Sequence, residues 1–186
     1  CLHFSPGCRA QFLSRLSWLS HKSVLDIAGM QRSSWQRLLD GGSISHLFSW
    51  LTLTPEQIAQ AQGISTVRAR QIWHRFNLTR QQPLRRWISA LGLPLPRTAL
   101  QALPDTQWSQ LLARSADSWQ QLPGIGNVLA QRLVTMLQDA RLQSLIHFLQ
   151  QQNIPAQPSV LGVGVVENRQ TEAEAQRQQA GEEAEQ

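Results

Sequence analysis

The chain has no tyrosine, a single lysine (Lys22) and two cysteines, Cys1 and Cys8. One pair of thiols cannot assemble a structural zinc site of four cysteines. No run of 18 apolar residues occurs and no charged-then-apolar leader opens the sequence, so a soluble cytoplasmic protein without membrane contact is expected. The first residue is Cys1 rather than Met, which suggests a piece of a longer chain. Alternation of β-branched residues is scarce, which argues against sheets and for an all-α body.

Acid is also scarce until the end of the chain. From Glu167 onward six acids stand against Arg169 and Arg177, a net −4, which leaves +9 for the rest of a chain whose total is +5. Sixteen of the 17 basic residues are Arg. Forked guanidinium groups suit phosphate better than point charges do, so a nucleic-acid partner leads, against a merely basic soluble domain.

A hydrophobic content of 41% over 186 residues allows one ordinary core or two small ones. Up to residue 155 the pattern reads as short helices. Phe12, Leu13, Leu16 and Leu19 fall at helical spacing. In "LTPEQIAQA" Thr54 is placed to cap a helix that begins with Pro55 and Glu56, and Asp105 is placed to cap "TQWSQLLAR". Val67, Ile72 and Phe76 sit among the arginines of "VRARQIWHRF", and Val128, Leu129, Leu133 and Leu137 form an apolar stripe after Gly126. Seven tryptophans are scattered through these helices, and packing is the expected role for most of them. Beyond Pro155 a short apolar run, Val160 to Val166, leads into a Glu/Gln-rich segment, and 156–186 is expected to be a disordered acidic tail.

"LPGIGNVLAQRL", Leu122 to Leu133, sets bare backbone immediately before a helix. A helix start offers unpaired N–H donors and partial positive charge, which suits an anion. The arrangement recurs as "DIAGMQRSSWQRLL" around Gly29 and "QAQGISTVRARQIW" around Gly63. Gly29 and Gly63 are 34 residues apart, Gly63 and Gly124 are 61 apart, close to two units, and "SALGLPLPRTALQAL" fills the vacant slot with Pro96 where a hairpin glycine is due.

The repeat resembles the helix-hairpin-helix motif, an apolar residue between two small ones followed four residues later by another small residue. Gly124, Ile125, Gly126 and Ala130 match it, as do Gly63, Ile64, Ser65 and Ala69; the first copy departs at Gln31 and Trp35. A short loop without bulky side chains lets amides reach DNA phosphates, contacts that carry no base information. The DNA-binding candidates are therefore Gly29, Gln31, Gly63, Ser65, Gly124 and Gly126, reinforced by Arg32, Arg68, Arg70 and Arg132. The third copy is expected to be structural, because Pro96 lacks an amide donor.

The succession "CRAQFLSRLSWLSHKSVLDIAGMQ", "LFSWLTLTPEQIAQAQGIS", "PLRRWISALGLPL" and "WQQLPGIGNVLAQRL" is similar to the C-terminal part of bacterial NAD-dependent DNA ligases, closest to the B-type. The resemblance covers about residues 1–155. It implies a zinc-finger-like remnant over 1–22, a tandem helix-hairpin-helix domain (RuvA domain 2-like) over 23–155, and a monomeric clamp on nicked double-stranded DNA. It also implies upstream nucleotidyltransferase and OB-fold domains, which use NAD and Mg2+ to seal nicks in DNA replication and repair. The chain departs from that family in two ways. Cys1 and Cys8 supply at most two zinc ligands, so free cytosolic thiols are expected. The adenylated lysine motif K-x-D-G is missing, because Lys22 stands in "KSVL", so this chain alone is expected to bind DNA without sealing it.

Three other readings compete. A stand-alone helix-hairpin-helix module of a repair or recombination complex would share the fold and the DNA affinity. A DNA glycosylase also uses "LPGIG", but it needs a catalytic Lys or Asp beyond the following helix, where no lysine occurs and Asp139 comes at the helix end. A protein-interaction scaffold predicts no salt-dependent duplex binding.

Overall fold

Local sequence chemistry sets several of the helix starts in the computed structural model, which describes residues 2–156. Ten α-helices occur among them: α1 Arg9–Leu19, α2 Arg32–Asp40, α3 Pro55–Ala59, α4 Thr66–Leu78, α5 Leu84–Leu91, α6 Arg97–Ala102, α7 Trp108–Leu112, α8 Ala116–Gln120, α9 Asn127–Leu137 and α10 Ala140–Gln151. Thr54 and Gln57 form a reciprocal cap ahead of α3: the Gln57 amide donates to Thr54 Oγ1 at 3.2 Å and the Thr54 amide to Gln57 Oε1 at 2.9 Å. Such a box satisfies two amides that the helix itself cannot. Ser65, Ser115 and Asp139 cap α4, α8 and α10 through single side-chain oxygens.

Asp105 does not cap α7, whose N-cap is Gln107. Its carboxylate accepts two hydrogen bonds from the Arg114 guanidinium, both at 2.7 Å, in a pair with side chains only 7% and 12% exposed. A forked, charge-assisted pair in a half-dry setting outcompetes a single cap bond.

The core explains most of the tryptophans. Trp35, Trp50, Trp87, Trp108 and Trp119 are buried. Trp35 stacks on Phe76 at 5.5 Å between ring centroids, Trp50 lies 4.9 Å from Phe76, and Phe48 meets Trp87 edge-on at 5.6 Å. Each such pair adds about 0.5–1.5 kcal/mol beyond the area it buries. Three indole N–H groups find acceptors: Ser20 Oγ for Trp35, the Leu47 carbonyl for Trp50 and the Ile154 carbonyl for Trp108.

The described helices belong to one compact unit. Helix α1 buries Phe12, Leu13, Leu16 and Leu19 and packs on α2 and α5, so the segment up to residue 22 shares a core with those later helices. Strands are replaced by one isolated bridge, His3 with His46, among the described residues. None of the described helices is long and apolar enough to cross a membrane. The expected disordered tail, Ala156 aside, and the run Val160 to Val166 lie outside the described residues, as does Cys1.

Candidate nucleic-acid interface

Four turns share one backbone signature. Gly29, Gly63, Gly92 and Gly124 have φ of +82°, +86°, +84° and +81°, a region that costs other residues about 1–2 kcal/mol. The apolar residue after each glycine, Met30, Ile64, Leu93 or Ile125, is buried and pins its turn to the core. Three turns lead into a helix two residues after the glycine, with Gln31, Ser65 and Gly126 as N-caps of α2, α4 and α9.

The third turn differs, and its sequence reading needs correcting. Gly92, not Pro96, adopts the left-handed conformation, while Pro96 is the N-cap of α6. Two extra residues separate the two landmarks, so aligning on Pro96 hid the glycine. Its spacing of 29 from Gly63 and 32 to Gly124 was the available signal. The amides of Gly92 and Leu93 are tied back to carbonyls of α5, and Pro94 and Pro96 have no N–H. This turn offers an anion fewer open amides than its siblings do.

At the other three turns the donors remain. The amides of Gly63, Ser65, Thr66 and Val67 meet no acceptor among the described residues, nor do those of Gly124, Gly126, Asn127 and Val128, or of Gly29, Gln31, Arg32 and Ser33. All three turns are solvent-exposed. A Cβ on Gly126 would meet nothing within 4 Å, which leaves open space before that helix start. Four residues after each N-cap, Trp35, Ala69 and Ala130 are fully buried, so the large Trp35 fits the small-residue position of the first copy.

Guanidinium groups lock the turns to one another. Arg37, on α2 after the first turn, donates to the Gly63 carbonyl at 2.9 Å, and Arg68, on α4 after the second, donates to the Gly29 carbonyl at 2.7 Å. Each turn is thus held by the helix that follows the other. Arg15 of α1 donates to the Leu91 carbonyl at 2.8 Å and lies over Gly92, where a Cβ would sit 2.6 Å from it. Burial pulls the Arg15 guanidinium below its ordinary value. Gly124 is covered by Thr98 and Pro96 instead. Nothing local in the sequence announced Arg15 or Arg37, because the contacts span 76 and 26 residues.

The remaining basic candidates divide by surroundings. Arg70 and Arg132 are exposed on α4 and α9 and hydrogen-bond no described residue. Arg32 reaches Ser14 Oγ at a loose 3.3 Å. Arg68 spends one donor on Gly29 and keeps others. Val67 and Val128, each two residues past an N-cap, are 69% and 83% exposed. Val128 therefore falls outside the apolar stripe assigned to it, and two equivalent methyl surfaces flank the open amides.

Cys8 is disulfide-bonded, which overturns the expectation of free thiols for it. A disulfide sulfur offers no thiolate to zinc. Lys22 is exposed in a turn whose carbonyl accepts from Arg86, and no group of three His, Cys, Asp or Glu side chains converges among the described residues. No family model matches the chain.

Proposed function

We propose that this body binds duplex DNA without sequence preference by offering backbone amides to phosphates at three of its four glycine turns, as a tandem helix-hairpin-helix domain. The observation that carries the reading is the repetition of left-handed glycine, buried apolar anchor and open helix start at Gly29, Gly63 and Gly124 in a body of net charge +9 up to residue 166. An isolated turn of this kind would be an ordinary helix entry. Three equivalent ones with unpaired amides, each followed by an arginine on its helix (Arg32, Arg70 and Arg132), suit the repeated phosphates of a duplex.

The order of sequence words supports a more specific role, the DNA-clamping C-terminal part of an NAD-dependent DNA ligase. Adenylation and joining would belong to nucleotidyltransferase and OB-fold domains elsewhere in the intact enzyme. The test mixes this chain with those domains of such a ligase and follows sealing of nicked duplex with NAD and Mg2+. Stimulated sealing supports the ligase role. Duplex binding without stimulation points instead to a stand-alone module of a repair or recombination complex.

A further inference from the structure

A groove of about 840 Å³ opens beside the third turn, the one whose prolines remove it from amide recognition. Trp18, Arg85, Arg86, Ser89, Leu95 and Arg97 are among its lining residues, and no acid is. Its size falls within the range of small-molecule sites.

Two features of this groove lack a structural explanation. Trp18 is 48% exposed, whereas five other tryptophans are buried. It is nonetheless held in place: its Nε1–H donates to the Ser89 carbonyl at 3.2 Å, and its ring lies 17° from parallel to His21. A fixed, half-open indole is a stacking surface. The second feature is the cations. Arg85 and Arg86 occupy the first turn of α5 and Arg97 opens α6, positions where the helix dipole disfavours positive charge, with no acid in either first turn. Arg86 is anchored on the Lys22 and Val24 carbonyls, but the Arg85 and Arg97 guanidinium groups bond no described residue. Three guanidinium groups thus line a groove that carries no acid, a setting that suits an anionic ligand.

We propose that this groove binds single-stranded nucleic acid, with a base stacked on Trp18 and its flanking phosphates on Arg85 and Arg97. An acidic peptide would satisfy the arginines and leave the indole unused; a strand of nucleotides uses both. The inference rests on the nucleic-acid reading above and extends it from duplex to unpaired strand, in a groove that none of the three open turns lines, although Pro96 and Thr98 on either side of Arg97 cover Gly124.

The test is an anisotropy titration of the full chain with labelled oligothymidine and, separately, blunt duplex. Trp18→Ala should weaken oligothymidine binding about 10-fold, with Trp18→Phe retaining most of it and duplex affinity unchanged. Arg85→Ala with Arg97→Ala should flatten the single-strand salt dependence by about 1.4 log–log units, at roughly 0.7 per phosphate. Thermal melts check that the variants remain folded. Duplex binding without oligothymidine binding, or equal single-strand affinity in Trp18→Ala, overturns this inference alone. Competition by polyglutamate as effective as by oligothymidine also overturns it. Failure to bind either DNA overturns both readings.

Discussion

The Arg37 guanidinium lies against the bare Cα of Gly63 and donates to that residue's carbonyl, so a Cβ placed on Gly63 would run into it. Arg68 donates to the Gly29 carbonyl from the opposite helix, where a Cβ on the glycine would be a tight neighbour at 3.3 Å. Two arginines are thereby spent as braces between turns, and the turns present their amides to solvent from a fixed frame. Preorganised donors bind phosphate without a further ordering cost.

Gly63→Ala should lose about 1–2 kcal/mol to the positive φ and about 0.5–1.5 kcal/mol to the disturbed Arg37 bond. In an Arg37→Ala background the same change should cost only the first amount. Denaturant unfolding of the four chains in a double-mutant cycle measures the difference. Full additivity would mean that Arg37 does not brace the turn.

Val67→Glu and Val128→Glu should push stability and binding in opposite directions. A carboxylate in the first helical turn stabilises the helix by about 0.3–1 kcal/mol, yet it sets negative charge beside the amides proposed to hold phosphate. Melting temperatures should rise slightly while duplex affinity falls. Unchanged affinity would remove these two helix starts from the interface.

Asp105→Asn leaves the Arg114 guanidinium half-buried without its charge partner. The Asp105 carboxylate holds Arg114 above its ordinary pKa through their hydrogen bonds, despite partial burial. Breaking a buried pair costs about 3–5 kcal/mol. The remaining Arg114 bonds to the Ser118 carbonyl and hydroxyl place the expected loss near the lower value, about 3 kcal/mol, read by urea unfolding.

Stability should fall as pH drops below about 6.5, the ordinary histidine value, partly through His46. Burial, and secondarily the neighbouring His3, lower its pKa in the folded chain. Its Nδ1 accepts the Phe48 amide at 3.1 Å, and its ring packs edge-on against Phe148 at 4.7 Å. The unfolded chain takes up a proton first, so the contribution is complete above the unfolded value and is lost as pH falls toward the folded one. Replacing His46 with Gln should flatten the decline in melting temperature between pH 7 and 5; an identical decline would assign it to other groups.

Helix starts were legible where a Thr-Pro cap or a glycine turn marks them, whereas the equally local caps Ser115 and Asp139 were not singled out. Thr54 with Pro55, Ser65, and the glycines at 63 and 124 announce themselves through local backbone chemistry. Asp105 misled because a cap needs only near neighbours, whereas its actual partner, Arg114, lies nine residues on and binds with two forks. Gly92 was hidden by two inserted residues that shift the repeat between its glycine and its helix. Val128 read as core because helical spacing alone does not say which way the first turn faces. The braces of Arg15, Arg37 and Arg68 are long-range contacts made by a residue type that is equally at home in solvent, so no pattern along the chain marks them.

The central claim is that the open turns hold duplex phosphates. A titration of blunt duplex with the full chain over a range of salt concentrations tests it most directly. Contacts from at least two turns predict a log–log slope of about −1.8 or steeper, at −0.9 per phosphate. Affinity that is absent at low salt, or that stays level as salt rises, would contradict the account.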